Sequence, residues 1–192
     1  MMGALRIAVA AAALATIASA ALTISGLSPA PSPLRAFGPQ MAAGEDRRAE
    51  LALKQGGEDA FAQAVAASRS ALRVTPYDTA ALLRIAYIDQ QEDGRLDAEG
   101  LAALAESYRR VPIDRSIALW RIRFCLENWD RLPAEIRLAV QNEVFGAASE
   151  PGHLWPLRMR LTHVANDQGR VVAILWHLRI ARSMERKKDW PR

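Results

Sequence analysis

The sequence predicts an all-α fold, a stack of antiparallel helix hairpins behind an N-terminal hydrophobic helix, and three observations carry that prediction. Apolar residues make up 51% of the 192, yet alanine dominates them, and valine, isoleucine and the aromatics never form the short alternating runs that a half-buried strand needs. A short apolar and arginine pattern recurs in the middle of the chain. Small side chains stand in pairs ahead of successive prolines.

The first element is Ile7 to Leu27, 21 residues without a formal charge, preceded by only Arg6 and the terminal amine as cations. That length spans a bilayer as a helix. Residues 1–27 are therefore predicted to be a single-pass membrane anchor, with the rest of the chain on the extracytoplasmic, periplasmic side. A cleavable secretion signal competes, because Ile7 to Ile17 would serve as its apolar centre and Ala18-Ser19-Ala20 has the small-x-small form that signal peptidase accepts. Cleavage would leave a secreted or periplasmic protein. Residues 28–41 begin Ser28-Pro29-Ala30-Pro31-Ser32-Pro33 and include Pro39; proline fixes φ and removes amide donors, so they read as a semi-stiff linker. Residues 42–192 remain for the folded helical domain.

Within that domain Ala81-Leu82-Leu83-Arg84-Ile85-Ala86-Tyr87 matches Ala118-Leu119-Trp120-Arg121-Ile122-Arg123-Phe124, and Leu157-Arg158-Met159-Arg160-Leu161 matches both, at a register of 37 residues. A second regularity is independent. Pro76, Pro112 and Pro151 are preceded, twelve and five residues back, by Ala64 and Ala71, Gly100 and Ser107, and Ala139 and Gly146. Seven residues are about two helical turns, so each pair lies on one face and lets a neighbouring helix approach closely. The following proline disfavours helical geometry just before it and ends the helix.

On these residues the chain, from about Glu58 to Leu161, resembles the tetratricopeptide-repeat (TPR) family, whose units are antiparallel helix pairs with small residues at fixed places and a terminal proline. The bulky-then-small pattern of its first helix is met by Leu82, Ile85 and Ala86, and it departs at Arg123 and Arg160, which replace the small residue matching Ala86. The resemblance implies a right-handed α-solenoid and a protein or peptide partner.

Helix signals agree in order along the chain. Asp78 and Asp114 stand two residues after their prolines and are predicted to cap the next helices, as is Asp97 for the helix carrying Leu101, Leu104, Tyr108 and Val111. Pro133 suits the first turn of the helix containing Ile136 and Val140. In Ile117 to Leu126 the apolar residues wrap more than one face, as in a helix wedged between neighbours, so Arg121 and Arg123 must reach outward or find carboxylates. The last helix is expected at about Arg170 to Lys187 after an Asn166-Asp167-Gln168-Gly169 turn, with Val171, Ile174, Leu175 and Leu178 as its inner stripe and Trp176, Ile180 and Met184 as a second one.

The chemistry in the sequence is sparse. Cys125 is the single cysteine, in an apolar stretch, and reads as a core side chain with no disulfide or multi-cysteine metal site available. His153, His163 and His177 form no zinc-hydrolase motif, and no phosphate loop or serine elbow occurs. The sequence thus predicts no catalytic, cofactor-binding or metal-ligating residues and no small-molecule substrate. One constellation, Glu127, Asp130 and His163, is the weak enzymatic alternative. Residues 170–192 carry seven basic side chains against Glu185 and Asp189, a net of +5 in a chain of net +4, so the remainder is close to neutral and no nucleic-acid surface is expected. Trp120, Trp155 and Trp176 read as core, and Trp129 and Trp190 as candidates for exposed contacts. The candidate partner-binding residues are Trp129, Trp176, Arg179, Arg182, Arg186 and Trp190. The leading expectation is a membrane-tethered interaction module serving cell-envelope assembly or export; the alternative is a structural subunit of a larger membrane complex that packs through its C-terminal helix.

Overall fold

A computed structural model of the chain describes Ser19, residues 42–149, Gly152 and residues 154–188, with side chains described up to Met184. Apart from Ser19, the predicted anchor 1–27 and linker 28–41 lie outside the described residues. Among the described residues every regular element is helical: α1 Ala42–Gln55, α2 Glu58–Val74, α3 Thr79–Asp93, α4 Ala98–Arg110, α5 Ala118–Glu127, a 3-10 turn Trp129–Arg131, α6 Ala134–Ala148, α7 Leu154–Leu161 and α8 Asp167–Lys188. None of these helices is long and apolar enough to cross a membrane. The all-α prediction holds, and neighbouring helices pack largely as sequential pairs.

The described residues fall into two compact units, divided between Ala81 and Leu82. In the first, α1 packs against α2. The connection is Gly56-Gly57, both at positive φ (69° and 91°), a conformation that a Cβ would strain. The buried side of α2 consists of Ala60, Ala64, Ala67, Ser68, Ser70 and Ala71, so its small pair does lie inside. Asp78 Oδ1 accepts the amide of Ala81 at 3.0 Å, the expected cap of α3.

In the second unit α5 touches α6, α7 and α8, α4 touches α6, and α7 packs against both α6 and α8. That central position explains why α5 buries Ala118, Ile122, Phe124, Cys125 and Leu126 on more than one side. Asp97 caps α4 by accepting the amides of Glu99 and Gly100. Gly100 is small for a local reason: a Cβ there would come within 2.2 Å of Asp89 Oδ2. Asp114 behaves differently from the expectation. Its carboxylate holds Ser116 through the backbone amide and hydroxyl, and its carbonyl accepts from Ile117 and Ala118, so it builds the turn before α5 and does not cap the helix with its side chain. Pro133 stands immediately before α6, and the buried stripe of that helix is Ile136, Val140, Glu143, Val144 and Ala147, with Ala139 and Gly146 only half-buried at its margin.

Candidate functional site

The last helix is turned the opposite way from the sequence expectation. Val171, Ile174, Leu175 and Leu178, predicted to face inward, are 58%, 52%, 59% and 47% exposed, whereas Ala173, Trp176 and Ile180 are buried. The physical cause sits at the start of α8. Gly169, expected in a turn, lies in the first helical turn, where a Cβ would be 1.9 Å from the carbonyl oxygen of Leu126 in α5. Asn166 caps the helix by accepting the Gly169 amide at 2.9 Å. Gly169 and Ala173 thus let α8 approach α5, and Trp176 and Ile180 continue the same line inward at steps of three and four.

Trp176 meets Trp129 edge to face, with ring centroids 5.4 Å apart, and also lies 6.5 Å from Phe145. Trp129 is 8% exposed, so the expectation that it makes exposed contacts is corrected: the 3-10 turn packs its ring against α8. Arg137 closes the other side, with its guanidinium 5.5 Å from the Trp129 ring centroid and Nη2 donating to the Trp129 carbonyl at 3.0 Å. Trp120 and Trp155, expected in the core, are 41% and 70% exposed. Trp120 is kept partly covered by Phe124, stacked at 5.0 Å, and by Tyr87.

Among the candidate arginines, Arg179 lies 4.8 Å over the Phe145 ring and Arg182 is exposed one turn beyond Leu178. Arg186 belongs to α8 but its side chain lies outside the described residues, as does Trp190 altogether. Beside the outward stripe a shallow groove of about 190 Å³ is lined by Leu161, Thr162, Arg170, Ile174, His177 and Leu178. His177 places Nε2 3.5 Å from Arg158 Nη2, while its Nδ1 is buried without a hydrogen bond.

The three residues of the enzymatic alternative do not converge. Glu127 Oε2 accepts the amides of Ala165 and Asn166, Asp130 accepts from the Asn166 side chain at 2.7 Å, and His163 turns back to Thr162 and the Met159 carbonyl. The two carboxylates fasten the turn before α8. His163 and Asp167, four residues apart, do not share one helix face, because His163 precedes α8 and Asp167 pairs with Arg170.

Sequence reasoning required Arg121 to reach outward or find a carboxylate, and the structure gives it one in a charge cluster buried inside the second unit, whose acidic member the sequence did not name. Arg121 and Glu143 are both fully buried and form an ion pair. Glu143 also accepts from the Tyr108 hydroxyl at 2.9 Å and from the Asp114 amide at 3.3 Å. The Arg121 guanidinium lies 4.0 Å over the Tyr108 ring and donates to the Val111 and Pro112 carbonyls at the end of α4. Burial opposes the charge of Arg121, and the bond and charge of Glu143 overcome it, raising its affinity for the proton. Burial pushes the Tyr108 hydroxyl well above its ordinary value and the Cys125 thiol up to about 12, so neither is ionised near neutrality. Sealed from solvent and with its charges paired, the cluster ties α4, α5 and α6 together and offers a substrate no entry.

Among the described residues one group of acids, Asp89, Asp93 and Asp97, has its carboxylates within 4.8 Å of one another. Asp89 Oδ2 accepts the Asp97 amide at 2.9 Å and Asp97 Oδ1 caps α4, so one oxygen of each of these two carboxylates serves the backbone.

Comparison of the chain with protein-family models, with curated proteins and with solved structures finds no match in any of the three.

Proposed function

We propose that the chain is a non-catalytic, membrane-tethered helical subunit that packs onto a partner protein through the outward face of α8. The observation that carries this reading is the continuous aliphatic stripe Val171, Ile174, Leu175 and Leu178, left half-exposed or more while an opposite stripe of the same helix fills the core. Spacing of three, one and three residues is that of a seam for another helix. Trp155 and Met159 on α7 add exposed apolar surface. Within its own unit α8 rests on α5, α7 and the 3-10 turn, and the 37-residue recurrence and the paired small positions of the sequence support a TPR-like stack. The uncharged segment 7–27 supports attachment to a membrane, which would raise the effective concentration beside membrane partners. An envelope assembly or export system is the setting this architecture suits.

The reading is tested by replacing Leu175 with a photo-crosslinking amino acid in the full chain, expressed in its native membrane, with Leu138 of α6, 58% exposed, as the control position. Protein adducts should form from position 175 and not from 138. Equal labelling at both positions, or none at 175, overturns the reading.

A further inference from the structure

The order of side chains along the outer face of α8 is two-fold symmetric. Val171 and Leu178 are equidistant from a point between Ile174 and Leu175, so an antiparallel copy of the helix presents the same four aliphatic side chains in matching order. The next residues outward on that face are Asp167 and Arg182, again equidistant from the centre and opposite in charge. Both are exposed, and Asp167 is 87% so even though it pairs with Arg170 of its own helix. A carboxylate has acceptor sites for both guanidiniums.

We propose that the occupant of this stripe is a second copy of the chain, its α8 antiparallel to the first, with Ile174 and Leu175 at the two-fold axis and Asp167 of each copy facing Arg182 of the other. This rests on the reading of the stripe as a docking face and names its partner. The two charge pairs are separated by about 22 Å along each helix, from the rise per residue, and bracket the aliphatic seam at both ends. A shift of one turn breaks both pairs and sets Val171 against Arg182 in one direction or Leu178 against Asp167 in the other, so charge sets the register and the aliphatic residues supply contact. Arg170 and Arg179, the corresponding flanking pair, lie on opposite sides of the stripe and do not meet across the axis. An antiparallel arrangement also keeps the basic stretch Arg186-Lys187-Lys188 of each copy at opposite ends of the seam. One helix–helix seam of four turns buries less than the about 1,200 Å² of a stable standard interface. The pair is therefore weak in dilute solution and strengthened where a tether concentrates it.

The experiment uses the full chain in the membranes of the expressing cell, with Leu175→Cys as reporter. Cys125 is fully buried and its thiol pushed up to about 12, so it does not compete in oxidation. Mild oxidation should give a disulfide-linked dimer from Leu175→Cys and none from Leu138→Cys. Adding Asp167→Arg or Arg182→Asp to the reporter should each reduce the dimer at least five-fold. Co-expression of the two charge variants should restore it, because each Arg or Asp then faces its opposite in the other copy. That restoration cannot arise from altered folding of either chain alone. No dimer from Leu175→Cys, or charge variants that crosslink as well as the parent, overturns the second copy. If position 175 then yields adducts with a different protein the docking reading survives without self-pairing. If it yields only lipid adducts, or none, both fail.

Discussion

At the scale of single residues, the second unit is held by contacts in which no substitute fits. Glu143→Gln leaves the Arg121 charge buried without its counter-ion, and removal of one partner from a buried pair costs about 3–5 kcal/mol. Urea unfolding of the purified chain should show a loss of that size. The double variant Arg121→Met with Glu143→Leu should recover part of it, since no lone charge remains, but not all, because the Val111 and Pro112 carbonyls lose their donor. At Gly169 the cost is steric. A Cβ 1.9 Å from the Leu126 carbonyl oxygen has no flexible neighbour to displace, so Gly169→Ala forces α8 away from α5 and should lower stability by about 1–3 kcal/mol, the range for overpacking. The opposite sign in the melting temperature would show that α8 does not approach α5 this closely.

Asp89 supplies a pH dependence at the same scale. Burial, with the Asp97 side chain as a further cause, raises its carboxyl from 3.8 to about 6. The folded chain therefore binds this proton more tightly than the unfolded one. The contribution is fully present below about pH 4 and is lost as the pH rises through 6. Asp97 is shifted down, through Asp89 and the amides it caps, and contributes stability in the opposite sense, lost as pH falls. Asp89→Asn removes the first of these and weakens the second, because Asp89 is the leading cause of the Asp97 shift. It should melt a few degrees above the parent at pH 7.5 and show no such advantage at pH 4, as followed by circular dichroism; a constant difference at both pH values contradicts the shift.

At the scale of elements, the existence and order of the helices were legible because periodicity, prolines and caps are local signals. Asp97 and Asp78 cap where their positions imply, and Ala64, Ala71, Gly100 and Ser107 lie buried as their spacing implies. The orientation of α8 was not read correctly, because both of its apolar stripes satisfy helical periodicity equally. The deciding signal was nevertheless present. Gly169 and Ala173 are small and in line with Trp176 and Ile180, but they stand four residues apart with no proline at the expected distance, so the seven-residue rule that located the inner faces of α2 and α4 did not reach them. For Arg121 the need for solvent or a carboxylate was legible but the choice was not: its partner Glu143 is 22 residues away in sequence and on a different helix, and no local pattern announces a long-range ion pair. The distinction between the two sides of α8 is measurable. Trp176→Ala should cost about 3–5 kcal/mol of stability, whereas Leu175→Ser, on the outer side, should stay within about 0.5 kcal/mol. Equal losses at the two positions would mean that the outer stripe is covered within the chain itself.

At the scale of the whole molecule, the basic charge at the C-terminal end, the outward stripe of α8 and the uncharged segment 7–27 would bear on one another if that segment holds the chain to a membrane. Retention of residues 1–27 would confine α8 to a thin layer of solvent next to the bilayer, and confinement is what makes a seam too small for stable association in dilute solution effective. Cleavage after Ala20 would release the domain, and the same seam would then be too weak to hold partners at ordinary concentrations. The mass of the mature protein separates these two cases. We expect the N-terminus to be retained, so that mass spectrometry of chain purified from membranes recovers peptides spanning Ala18 to Ala21 and extraction requires detergent. A mature start at Ala21 would remove the anchor, and the stripe would then have to act at a far higher intrinsic affinity than four aliphatic side chains and two exposed ion pairs supply.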